Sequence, residues 1–233
     1  MLQEISSPNK LWYLKQINLF SALTRAELQE IDRITRMQEV KKREAIYLEG
    51  DPGTTVYLLK KGRVEISSSA PSGKEFTFVI LEPGEIFGEL EALEDSPREG
   101  LAKALDDALI CVIRREDFER YLRQHPDMAL KLTKLIGARF RKLYNRVEDL
   151  VFRAVPARLA RLLLELSNNH GIPDETGIRI RVKLTHQELA NLIGCSRETV
   201  SSTLGQFREQ HLIRLDGRSI IVLDQHGLSQ LLS

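Results

Sequence analysis

The residues best suited to chemistry form one compact run, Gly194-Cys195-Ser196-Arg197-Glu198-Thr199-Val200, with Thr185-His186-Gln187-Glu188-Leu189-Ala190 just before it. An arginine can donate twice to guanine O6 and N7, and a carboxylate can accept from cytosine N4, provided both stand at the exposed start of a helix that enters the major groove. The neighbouring residues predict such a helix. Thr185 can cap a helix over 186–193, with Glu188 closing a capping box. Gly194 permits a sharp turn, and Ser196 can cap a second helix. Leu189, Leu192 and Ile193 on the first helix and Val200, Leu204 and Phe207 on the second are spaced to be buried, which leaves Arg197 and Glu198 outward. That spacing predicts a helix-turn-helix. The hydroxyls of Thr185, Ser196, Thr199, Ser201, Ser202 and Thr203 are expected to position phosphates beside the two helix N-termini. The alternative is that Arg197 and Glu198 form only a solvated surface pair.

These elements need a scaffold. After the second helix, Leu212 to Leu215, the Asp216-Gly217 turn and Arg218 to Leu223 predict a hairpin, with Arg218 at its tip either on a phosphate or in solvent. Before the motif, Ile178 to Val182 alternates as a half-buried strand, and residues 168–177 read as a polar loop. Pro156 begins a helix running through Arg158 to Leu166.

From Pro126 to about Phe152, Leu132, Ile136, Phe140, Leu143, Val147 and Leu150 recur every three or four residues with charged residues between them. So narrow a stripe suits a helix paired along one seam, a parallel homodimer being the simplest arrangement, or one that caps the domain of its own chain. From Glu39 to Val112 the texture is short β-prone runs (45–48, 55–59, 63–66, 76–81) divided by Gly-containing turns, which predicts a small barrel-like β domain. Between Leu11 and Met37 the spacing of Leu14, Ile17, Leu19, Leu23, Leu28 and Ile31 predicts short helices.

Composition bounds the rest. At 233 residues, with 29% charged and 42% apolar residues, the chain suits two globular domains. No apolar run approaches the roughly 18 residues of a membrane span. The N-terminus lacks the order of a secretory signal, so a cytoplasmic location is expected. The net charge of +1 does not by itself point to nucleic acid. Cys111 and Cys195 have no partners at metal-site spacing, so no metal site is expected. Cys111 reads as a small buried side chain and His125 as a helix-start residue. No nucleophile and base or paired carboxylates stand at usable spacing, which argues against an enzyme.

The run from Thr185 to Val200 and the hairpin after it closely resemble the helix-turn-helix of the catabolite activator and fumarate-nitrate regulator (CRP/FNR) superfamily, and the resemblance extends over nearly the whole chain. It implies an α+β chain: a cyclic-nucleotide-binding-like β-roll over 1–125, a dimerisation helix and hinge over 126–154, and a winged helix-turn-helix over 155–233. It implies base reading by Arg197 and Glu198 and phosphate contacts from Thr185, Gln187, Ser196 and Thr199. Many members have a third reading arginine where this chain has Ser202, too short for a bidentate contact.

Phe87-Gly88-Glu89-Leu90, followed seven residues later by Pro97-Arg98, looks like the phosphate-binding cassette of cyclic-nucleotide domains. The resemblance implies an effector site of Gly88, Glu89, Leu90, Arg98 and Glu99. Gly88 would let backbone amides approach an anion, Glu89 would accept from a ribose hydroxyl, and Arg98 would pair with the phosphate. Glu99, next to Arg98, would repel an anion unless it points away. Leu143 and Tyr144 match the two positions that contact adenine in cAMP-responsive members. The ligand is then cAMP, another nucleotide, an unrelated small molecule or none. The expected partners are double-stranded DNA, a second copy of the chain and RNA polymerase, the last through residues 168–177. The competing expectation is a cyclic-nucleotide-binding module that controls a partner protein.

Overall fold

The structure is a computed structural model that describes residues 24–73, 75–217 and 219–232. The predicted helical stretch around Leu14, Ile17, Leu19 and Leu23, and Arg218 at the hairpin tip, lie outside the described residues. Contacts divide the chain into two units, which meet between Arg139 and Phe140.

The first unit opens with helix α1 (Arg25–Ile34), started by a capping box in which Thr24 accepts from Glu27 N and the Glu27 carboxylate accepts from Thr24 N. Helical character was expected to persist to Met37. Instead strand β1 (Thr35–Val40) begins directly after α1, with alternating burial that the helical reading of Leu28 and Ile31 had absorbed.

Two four-stranded antiparallel sheets follow. One has the order β1, β8 (Ala108–Arg114), β3 (Thr55–Lys61), β6 (Ile86–Phe87). The other has β2 (Ala45–Tyr47), β7 (Leu101–Ala104), β4 (Val64–Ser69), β5 (Glu75–Leu81). Tyr57 and Leu59 join Val64, Leu81, Phe87, Ala102 and Ile110 in the core between the sheets. Val56 and Leu58 face the other way, toward Leu28, Ile31, Phe118, Tyr121 and Met128. Strand β3 is therefore covered on both faces, which accounts for its unbroken apolar run. Cys111 is fully buried in the second of these cores, as its apolar strand implied.

Helix α2 (Glu89–Glu94) sits in the cassette region, and helix α3 (Arg115–Gln124) precedes the long helix α4 (Pro126–Phe152). The first two turns of α4 belong to their own domain. Met128 and Leu132 are buried in the β-roll's outer core, and Leu135 and Ile136 pack against it. Leu132 thus drops out of the predicted dimer stripe, because its side chain is already consumed, and Ile136 is partly so.

Beyond Arg139, Phe140 is 67% exposed and Val147 58%, with Leu143 and Tyr144 also exposed and Leu150 half-buried. Further on, Asp149 is buried and pairs with Arg153 (2.9 Å) and with Arg161 (3.2 Å) of helix α5 (Val155–His170), so the end of α4 is tied into the second unit.

In that unit α5 outlasts its predicted end at Leu166. Residues 168–170 complete the helix, and the rest of the expected polar loop forms a hairpin, β9 (Gly171–Asp174) with β10 (Gly177–Ile180). Helices α6 (His186–Ile193) and α7 (Arg197–Glu209) follow, then β11 (Ile213–Asp216) and β12 (Ser219–Val222). The sheet order is β11, β12, β10, β9. A last helix, α8 (Gln225–Gln230), which the pattern did not suggest, is capped by Asp224, whose carboxylate accepts from Gly227 N at 2.9 Å. Leu159, Leu163, Leu189, Val200, Leu204, Phe207, Ile221 and Leu228 are buried at 2% exposure or less. No helix among the described residues is long and apolar enough to cross a membrane.

Candidate nucleic-acid interface and sensor cassette

The interface is set by two caps and a glycine. Thr185 Oγ1 accepts from Glu188 N at 3.2 Å, and the Glu188 carboxylate accepts from Thr185 N at 2.5 Å, which fixes where α6 begins. Gly194 ends it at φ +69°, ψ +44°, a left-handed conformation that costs a residue with a Cβ about 1–2 kcal/mol. Ser196 Oγ accepts from Thr199 N at 3.2 Å, and the two hydroxyls lie 2.9 Å apart. Val200, Leu204 and Phe207 bury one side of α7, so Arg197, Glu198, Thr199, Ser201 and Ser202 stand exposed on the other.

The side chains are unequally prepared. Glu198 is held below the usual carboxylate range, chiefly by its own backbone N–H and then by the Ser196 hydroxyl, so its carboxylate rests on the helix N-terminus. Gln187 is exposed and donates to Asn191 Oδ1 at 2.7 Å. Thr203 does not belong to the predicted hydroxyl surface. It is buried, and its hydroxyl donates to Thr199 O at 2.8 Å.

His186 was passed over in the sequence and stands among these groups. Its Nδ1 lies 2.7 Å from Ser201 Oγ, and the Ser201 hydroxyl donates to Arg197 O at 3.0 Å. With that one proton committed, Nδ1 is the donor of the pair. The signal that could have found it is its place, first after the cap of α6 and between two residues already singled out. Leu184, Thr185, His186, Gln187 and Arg197 line one wall of a concavity of about 490 Å³, and Leu215, Gly217, Ser219 and Ile220 of the hairpin line the other. On the sheet, Arg179 bridges Asp174 (2.8 Å) and Asp216 (2.8 Å), and Arg214 adds a second contact to Asp174 at 2.9 Å, so the two hairpins are joined through charge.

In the first unit the cassette residues converge, but on one another. Gly88 takes φ +69°, and a Cβ there would lie 2.8 Å from Arg98 Nη1. Arg98 is only 2% exposed. Its Nη1 donates to Gly88 O (2.8 Å) and to Glu91 Oε2 (3.3 Å), and its Nη2 to Thr55 O (2.5 Å) and Thr55 Oγ1 (3.2 Å). The guanidinium carbon lies 4.5 Å from the centroid of Tyr47, whose phenol is pushed up by burial and by Glu91. Tyr57 stacks on Phe87 beneath it, with centroids 5.0 Å apart.

Glu89 is also 2% exposed and pairs with Arg139 of α4 at 2.9 Å. Arg139 donates further to Ile86 O at 2.6 Å. Burial pushes the Glu89 carboxyl up, and the Arg139 charge opposes that shift. Leu90 and Glu99 are exposed, so Glu99 points away from Arg98, and the carboxylate facing that arginine is Glu91, two residues after Glu89. Leu143 and Tyr144 lie in the second unit. Among the described residues no group of three or more His, Cys, Asp or Glu could hold a metal.

Comparison with known proteins agrees with both halves. Residues 37–125 match the cyclic nucleotide-binding domain, and residues 157–231 the Crp-like helix-turn-helix domain. The chain is 34% identical to the global nitrogen regulator of Synechocystis over 80% of its length and 84% of that protein's. It is 28% identical to the CRP-like cAMP-activated global transcriptional regulator of Mycobacterium tuberculosis, over 93% and 97% respectively. The crystal structure of a CRP/FNR-family transcriptional regulator from Thermus thermophilus, 28% identical, covers 84% of this chain and 97% of its own with a TM-score of 0.65. A capped helix-turn-helix with a wing, carried behind a cyclic-nucleotide-binding-like β-roll and a long helix, places this chain in the CRP/FNR family of transcription regulators.

Proposed function

We propose that this protein is a homodimeric, sequence-specific activator of transcription that binds a palindromic promoter site. In this reading residues 1–125 are the sensor, 126–154 the dimerisation helix and hinge, and 155–233 the reader. The observation that carries it is the first turn of α7. Ser196 caps it and Val200, Leu204 and Phe207 anchor it, so Arg197 and Glu198 are both exposed at the end of the helix that would enter the groove.

Thr185, Gln187, Ser196 and Thr199 would hold phosphates around the concavity. Ser202 would leave one base position without a bidentate reader. Phe140, Leu143 and Val147 would form the dimer seam, completed by Leu150. In a two-fold dimer the half-sites would lie about one helical turn, roughly 34 Å, apart. The β9–β10 hairpin would offer RNA polymerase its contact. Control would come from an effector in the β-roll or from protein abundance alone.

The test is fluorescence anisotropy with a selected palindromic duplex against a scrambled one. Each bidentate contact is worth about 1–3 kcal/mol, so in a dimer Arg197→Ala should weaken specific binding by roughly thirty-fold or more. The salt-dependent binding to scrambled DNA should stay near the parent value. Equal loss on both duplexes would reduce Arg197 to a phosphate contact, and no loss on either would refute the assignment.

A further inference from the structure

A cyclic nucleotide is the ligand that the β-roll's likeness implies, and the side chains present do not fit one. Such a ligand needs a cation free for its phosphate and an acceptor free for its ribose. Of the five N–H donors on Arg98, four already have acceptors within the chain: Gly88 O, Glu91 Oε2, Thr55 O and Thr55 Oγ1. The fifth, on Nε, is buried without a partner. Its charge is already matched by a carboxylate, and its face is covered by Tyr47. The acceptor is engaged as well, because Glu89 holds Arg139.

We propose that Glu91 is an internal counter-anion that takes the place of a ligand phosphate at Arg98 and closes the cassette to cyclic nucleotides. A buried cation needs an anion close by, since an unpaired charge out of water is strongly disfavoured. In a cassette that takes its anion from solution, that need makes the site a receptor. Here the side chain of Glu91, 15% exposed against 1% for Arg98, meets it from one turn of α2 within the same fold. An incoming phosphate would have to displace a carboxylate that the fold itself tethers beside the arginine, or share Arg98 with it against like-charge repulsion. Glu99 takes no part, since it points to solvent.

The proposal is independent of whether the C-terminal domain reads DNA, and its readout is ligand binding alone. Isothermal titration of the full-length protein with cAMP, and separately with inorganic phosphate, is compared for the parent, Glu91→Ala, Glu91→Gln and Glu91→Ala/Arg98→Gln. The parent should show no saturable heat with either probe at millimolar concentration. Glu91→Ala should bind at least one of them with a Kd at least about tenfold tighter than the parent's limit, and its Tm should rise as that ligand is added. The double variant should lose the gain.

Saturable cAMP binding by the parent comparable to that of Glu91→Ala would overturn the proposal. So would a folded Glu91→Ala that binds neither probe. Glu91→Gln keeps the side-chain shape and removes only the charge, so it decides by the same two readings if the alanine variant does not fold. Phosphate binding without cAMP binding supports the counter-anion and assigns the cassette to a smaller anion.

Discussion

The pair between Glu89 and Arg139 makes a sharp test of how the β-roll grips its own long helix. Glu89 is 2% exposed, and the side chain of Arg139 is 23% exposed. Removing one partner of a buried pair commonly costs about 3–5 kcal/mol, because the remaining charge is stranded; the partial exposure of Arg139 puts Arg139→Ala near the lower end, about 3 kcal/mol at pH 7.5. The variant also strips Ile86 O of a donor.

The pH dependence gives the sign. Burial raises the Glu89 carboxyl in the folded state, and Arg139 works against that rise, so deleting the arginine raises it further. A carboxyl raised on folding contributes stability below its unfolded value and loses it as pH climbs through the folded value. The penalty of Arg139→Ala should therefore be largest at neutral pH and shrink on acidification, by at most about 1.4 kcal/mol per pH unit for one proton. Once Glu89 is protonated in both proteins, the deletion costs only the hydrogen bonds that the arginine gives to a neutral carboxyl and to Ile86 O.

The assay is urea unfolding followed by circular dichroism between pH 4.5 and 8, at fixed protomer concentration because dimerisation would shift the midpoint. The double variant Glu89→Gln/Arg139→Ala should recover much of the loss at pH 7.5 and show little pH dependence. A penalty below about 1 kcal/mol at pH 7.5, or one that does not change with pH, would sink the claim that a buried charge is being matched.

Two further outcomes are expected. Gly194→Ala should lower stability by about 1–2 kcal/mol and weaken duplex binding, because φ +69° is unfavourable for alanine; Gly194→Asn should fall between the two. Urea unfolding would show this, and an alanine variant as stable as the parent would mean that the turn relaxes. Val147→Asp should leave the β-roll and the reader folded but give monomers in sedimentation equilibrium at micromolar concentration, since Val147 is 58% exposed in the single chain and outside either core. A dimer as tight as the parent's would move the seam elsewhere.

Much of the reader was legible because its signals are local. Thr185 and Glu188, three residues apart, form a capping box, Ser196 caps the next helix at Thr199 N, and one glycine lies between. What escaped were features fixed by partners far along the chain or by burial. Thr203 looks like any surface threonine until its hydroxyl is seen donating to Thr199 O. Leu132 fits a seam by spacing, yet the β-roll claims it first. Strand β10 was legible in the alternation from Ile178 to Val182, but its partner β9 was not, because β9 is an edge strand paired only with β10, and Pro173 and Asp174 within it mimic a loop. His186 gains meaning only beside Ser201, fifteen residues on.

The sensor was the harder half to read, for the reason that α2 is so short. Glu89 and Glu91 are two residues apart, and residues at that spacing do not share a helix face. One carboxylate can therefore reach Arg139 on the long helix while the other reaches Arg98 across the cassette. In the sequence Glu89 reads as a ribose acceptor, and Glu91 carries no role of its own. In the fold they are two anions that hold two arginines, and the same six-residue helix carries both. Anything that competed with Glu91 for Arg98 would act on the element that also fixes Arg139, so the cassette and the base of the long helix are joined through a single turn of backbone. That joint is what the titration of Glu91 variants and the pH dependence of Arg139→Ala probe from its two ends.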